Sequence, residues 1–192
     1  MNLAKYFLGF LMANVVCAVA TVHADEPIKA MNGVIVVDGQ RDFDFEFGSW
    51  KAHIKRKTHP VTGGGSWVEY DGTSVVRKVW NGKSNLGELE VDSPSGHLEG
   101  FSLRVYNPKS KQWSIYWSNS SDPAIGAPMI GDFSNGHGEF FGQDTVEDRA
   151  VLARFIFSGM SKTKFQIEQA FSLDGGKTWD TNWIANFTRD ES

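Results

Sequence analysis

The chain reads as all-β, a single antiparallel up-and-down barrel of eight to ten strands. Three observations predict this. Apolar residues alternate with period two along nearly every segment from residue 49 onward, and each segment ends in turn residues. No long window after residue 24 carries an apolar stripe with the 3.6-residue period of a helix. Short strands at even spacing, joined by tight turns, are how barrels and sandwiches look in sequence.

The elements follow in order. Met1 to Lys5 carry one positive charge and no acid. An apolar run from Tyr6 to Val22 follows, interrupted only by Asn14, and ends in Val22-His23-Ala24. This is the layout of a secretory signal peptide, residues 1–24, cleaved after Ala24. The run is shorter than the roughly 18–20 residues of a membrane span, so a periplasmic or secreted protein with no anchor after cleavage is expected. Residues 25–40 form a leader in which Val34-Ile35-Val36-Val37 reads as a short edge strand, and residues 41–192 form the barrel domain. Strands are expected at 49–58, 66–71, 73–80, 85–92, 97–106, 112–118, 129–133, 138–145, 150–158, 163–173 and 178–189. Between them, Asp71-Gly72, Asn81-Gly82, Pro94-Ser95-Gly96, Asn107-Pro108-Lys109, Asn135-Gly136 and Asp174-Gly175 supply the residues that tight hairpins require.

Composition bounds the chemistry. The one cysteine, Cys17, leaves with the signal, so neither disulfides nor thiol chemistry is expected, and stability rests on burying a chain that is 13% aromatic. A net charge of −4 disfavours nucleic acid as a partner. The basic cluster Lys51, Lys55, Arg56 and Lys57 reads as the solvated face of one strand. His53, His59, His97 and His137 lack metal-ligand spacing, so neither a metal nor another cofactor is expected. Gly63-Gly64-Gly65 precedes a strand and reads as a flexible loop. Ser172 to Trp179 match the S-x-D-x-G-x-T-W Asp-box, which as a lone copy reads as a structural hairpin with Asp174 bonding its own turn and Trp179 packed beneath.

Parity favours a barrel over a sandwich. Trp50, Ala52 and Ile54 share one face of the first strand, as Trp179, Trp183, Ala185, Phe187 and Arg189 share one face of the last. If first and last strands pair, Arg189 lies over Trp50 inside one end. A guanidinium over an indole contributes about 0.5–2 kcal/mol, and Arg189 can also donate to carbonyls of the Phe43–Phe47 turn.

The order Asp42-Phe43-Asp44-Phe45 with Gly48-Ser49-Trp50, then Glu69 to Arg77, Gln112 to Trp117, Gly138 to Phe141, Glu168 to Trp179 and Asn182-Trp183-Ile184, resembles a family of largely uncharacterised, often exported bacterial proteins. The resemblance runs from about Arg41 to Arg189 and implies a lipocalin-like (calycin) barrel. It carries no catalytic residues.

Parity also nominates a site. His97, Glu99, Phe101, Leu103 and Val105 share a face, as do Trp113, Ile115, Trp117 and Asn119, and Phe165, Ile167, Gln169 and Phe171. If these faces line the barrel, Arg77, Glu99, Trp117, Phe155, Gln169 and Trp183 surround a cavity, while Trp50, Trp179 and Arg189 are structural. Three readings stay open. The first is a protein binding a small apolar or aromatic molecule. The second is a lipocalin-fold lyase, hydratase or isomerase with Glu99 as acid/base. The third is an accessory protein whose barrel is filled by its own side chains, with an internal Arg77–Glu99 pair an alternative use of those two residues.

Overall fold

The computed structural model describes residues 38–191 apart from Gly64. The expected signal peptide and the edge strand at Val34–Val37 lie outside the described residues. Ten strands follow one another: β1 (Gly48–Lys57), β2 (Trp67–Val79), β3 (Ser84–Ser93), β4 (Gly96–Asn107), β5 (Gln112–Asn119), β6 (Met129–Ser134), β7 (His137–Val146), β8 (Arg149–Ser158), β9 (Lys164–Ser172) and β10 (Asp180–Arg189). Each pairs antiparallel with the next, and β1 pairs with β10, so the sheet closes into an up-and-down barrel.

One expected turn is not a turn. Asp71-Gly72 runs straight through β2, with His53 and Ala52 opposite on β1 and Val91 opposite Gly72 on β3. The β1 ladder on one side and, from Gly72 onward, the β3 ladder on the other hold the dipeptide extended, and its local turn preference loses to them. The junction of the β5 and β6 strands is the opposite case. Their ladder is only Trp113 with Gly131, Ser114 with Ile130 and Ile115 with Met129.

One end of the barrel is shut by its own residues. Trp50 and Arg189 are cross-strand partners, and the Arg189 Cζ lies 3.7 Å from the Trp50 ring centroid. Arg189 donates from Nη1 to the Phe47 carbonyl (2.6 Å) and from Nη2 to the Phe45 carbonyl (3.2 Å). The glycine of Gly48-Ser49-Trp50 is needed here. Its φ is +116°, and a Cβ would stand 2.5 Å from Arg189 Nη1. The segment before β1 makes a 3₁₀ turn, Asp44–Glu46, and drives Phe43 into the core. Phe43 meets Trp113, Phe133 and Phe157 edge-on at 5.0, 4.9 and 5.3 Å, contacts that contribute about 0.5–1.5 kcal/mol each beyond burial.

The Asp174 hairpin between β9 and β10 forms as expected. Asp174 accepts from the Lys177 and Thr178 amides and the Thr178 hydroxyl, with Gly175 and Gly176 at φ +74° and +89°. Those bonds, the Thr178 hydroxyl first, hold its carboxyl down at about 2. Trp179 donates to the Gly176 carbonyl. A bulge between Thr181 and Trp183 then breaks the parity that the sequence extends back to Trp179. Trp179 therefore packs outside the barrel, against Phe141 and under Arg154.

Candidate functional site

Burial and register define the inner face. On β1 it is Trp50, Ala52 and Ile54, on β5 Trp113 and Ile115, on β9 Phe165, Ile167 and Gln169, and on β10 Trp183, Ala185 and Phe187. On β4 the expectation fails. The even positions Gly100, Ser102, Arg104 and Tyr106 are buried, and Phe101, Leu103 and Val105 face outward. Glu99 is therefore exposed on the outer face, opposite Glu90, and does not enter the barrel. Arg77 is also exposed and outward, and pairs with Glu88 at 3.0 Å. Neither residue belongs to an interior site, and they do not pair with each other.

The interior charge pair is one the sequence reading missed. Glu46 from the 3₁₀ turn accepts two bonds from Arg104, Nη1 to Oε2 at 2.5 Å and Nη2 to Oε1 at 3.1 Å, and Arg104 Nη1 also donates to Asn85 Oδ1 at 3.1 Å. Both charges are buried, at 2% and 5% exposure. Burial pushes the Glu46 carboxyl up and the Arg104 guanidinium down, while each partner pulls the other back toward its charged form.

The two ends of the barrel differ in filling. Phe43, Trp50, Trp113, Phe140 and Phe157 are at or below 1% exposure toward the shut end. Toward the other end the inward apolar residues Tyr70, Leu89, Leu98, Met129, Phe155 and Trp183 are only partly buried. Trp117 lies on the inward parity of β5, opposite Ser102, and is 42% exposed. Its ring covers Gly100, where a Cβ would come within 2.3 Å of it. The register sets one inward row across four strands of this open half: Arg56 on β1, Trp183 on β10, Gln169 on β9 and Phe155 on β8. The Trp183 and Phe155 rings are stacked, 6.4 Å apart at 24°. Gln169, Trp183, Phe155 and Trp117 are thus brought to one end of the barrel, and Arg77 and Glu99 are not.

A loop bends over part of this end. Residues 58–66, between β1 and β2, are pinned at the base by the Thr58 amide donating to the Ser66 carbonyl at 2.9 Å. Val61 is buried at 7% against Val151, Ala153 and Phe171. Thr62 donates from its amide (2.8 Å) and its hydroxyl (2.7 Å) to Glu147 Oε2 on the β7–β8 hairpin. The Thr62 hydroxyl, ahead of its amide and the nearby His59, holds the Glu147 carboxyl below the usual range. Beside this loop opens a cleft of about 590 Å³, lined by residues that include Gln143, Asp144, Val151, Leu152, Ser172 and Leu173.

The arrangement defines a lipocalin-like β-barrel, shut at one end and aromatic at the other. No family model matches the chain, and no curated protein matches it. Among solved structures it is similar to an S-type phycobiliprotein lyase, CPES, from Guillardia theta, with a TM-score of 0.54 and 14% identity over 81% of this chain and 97% of that one. It also matches EF1p2_mFAP2b bound to DFHBI, with a TM-score of 0.42 and 12% identity over 79% of this chain and 99% of that one. The likeness to the lyase is one of fold.

Proposed function

We propose that this is an exported barrel protein of the kind its sequence resembles, holding a small aromatic or apolar molecule in the open half of the barrel. The observation that carries this is the contrast along the barrel axis. Toward the Trp50 end the large inward side chains Phe43, Trp50, Trp113, Phe140 and Phe157 are fully buried, whereas Trp183, Phe155, Gln169 and Trp117 at the other end are partly exposed. A largely aromatic inner surface with one amide among the rings is the composition of a small-molecule site. The reading of a barrel filled by its own side chains fits the half nearer Trp50. The enzymatic reading loses its acid/base, because Glu99 is outside and Glu46 is engaged on both oxygens by Arg104.

Two substitutions test the proposal. Trp50→Ala deletes a fully buried indole and should lower unfolding stability by about 3–5 kcal/mol. Trp183→Ala removes a partly exposed wall and should destabilise less, while releasing whatever molecule native mass spectrometry finds on the protein purified from its own cells. Equal destabilisation, with no change in any bound mass, would mean that the open half is filled as well.

A further inference from the structure

We infer that the molecule held in the open half carries an anionic group, a carboxylate or its equivalent, and that Arg56 receives it. The inference rests on the binding reading above and adds the charge and orientation of the ligand.

Arg56 differs from the lysines around it. Lys51, Lys55 and Lys57 point outward and are answered by Asp190 (3.5 Å), Glu69 (2.7 Å) and Asp180 (2.8 Å). Arg56 sits on the opposite parity, two residues beyond the buried Ile54, with inward Val68 opposite on β2 and Trp183 opposite on β10. It is exposed, and among the described residues no carboxylate or carbonyl bonds to its guanidinium. Two carboxylates on the flanking strands are already paired, Glu69 with Lys55 and His53 and Asp180 with Lys57. Of the other inward arginines, Arg104 is neutralised by Glu46, and Arg189 donates to the Phe45 and Phe47 carbonyls at the shut end.

Arg56 also ends a row. The sequence cation, indole, amide, phenyl runs Arg56, Trp183, Gln169, Phe155 across adjacent strands. Three interstrand steps of about 4.8 Å make this roughly 14 Å long, room for a body of two or three rings lying on Trp183 and Phe155. An anion at the Arg56 end would meet a planar guanidinium able to bind it through two parallel hydrogen bonds. A neutral ligand would leave that guanidinium unused, and a cationic one would be repelled by it.

The test uses two dyes with one ring system: anilinonaphthalene sulfonate, which is anionic, and its uncharged parent N-phenylnaphthylamine. Fluorescence titration of the whole protein should give a Kd about tenfold lower for the sulfonate, a typical margin for one charge-assisted pair. Arg56→Gln should erase that margin and leave the uncharged dye's Kd unchanged, and Arg56→Lys should restore part of it. Trp183→Ala should weaken both dyes. Arg149→Gln, at the tip of the β7–β8 hairpin on the same end of the barrel but six residues from Phe155, should change neither. If Arg56→Gln leaves sulfonate binding intact, or Arg149→Gln removes it, the anion inference is wrong and the binding reading stands. If neither dye binds, or Trp183→Ala affects neither, the binding reading falls and the inference with it.

Discussion

Glu46 and Arg104 show what a single buried charge demands of its surroundings. Inside the barrel each is tolerable only because the other answers it through two hydrogen bonds. Glu46→Gln should therefore destabilise by about 3–5 kcal/mol, the range for breaking a buried pair from one side. Combining it with Arg104→Met should recover much of the loss, because the double variant leaves no unpaired charge. Urea unfolding of the three variants checks this, and a double variant no better than Glu46→Gln would show that the pair is not a unit. The sequence hid this pair for a physical reason. The outward side of β4, Phe101, Leu103 and Val105, is more apolar than its inward side, so ranking faces by hydrophobicity chose the wrong one. Arg56 was misplaced too, grouped with three lysines as one solvated face, although strand parity could have separated it. It occupies an even position with Trp50, Ala52 and Ile54, while the lysines grouped with it occupy odd ones.

Between strands, the 58–66 loop is held by few contacts: Val61 in its apolar niche and Thr62 on Glu147. Segments with so little burial open far below the global unfolding free energy. Replacing Glu147 with Ala should speed amide exchange and proteolytic nicking at 58–66 while leaving the melting temperature nearly unchanged. The sign of the pH effect follows from the lowered Glu147 pKa. The contribution of this contact is fully present above the usual carboxylate range and is lost as pH falls through the depressed value. Unaltered exchange in the Ala variant would mean that Val61 and the Thr58–Ser66 bonds hold the loop without Glu147. Strands and turns were mostly readable, since alternation and hairpin dipeptides are local signals. Asp71-Gly72 and the β10 bulge were not, because two flanking ladders and the course of the chain around Trp179 decide them, and neither lies within a few residues in sequence.

At the scale of the whole molecule, stability should vary with pH through Asp42, whose carboxyl is raised to about 6 by burial and then by Asp38 and Asp132. A carboxyl raised on folding contributes stability that is fully present below its unfolded value, near about 4, and lost as pH rises through about 6. The melting temperature should therefore fall between about pH 4 and pH 6 and level off above that, and Asp42→Asn should flatten that change. An identical slope in the variant would assign it to other groups. The closed ring itself has an uneven circumference. β7 and β8 share a ladder of nine residue pairs, whereas β5 and β6 share three. A cylinder so built has a seam. Thermal breathing would concentrate there, parting the wall alongside Trp113 and Met129 before any longer ladder yields, so that the barrel opens like a door on one side and not like a sheet unrolling from its ends.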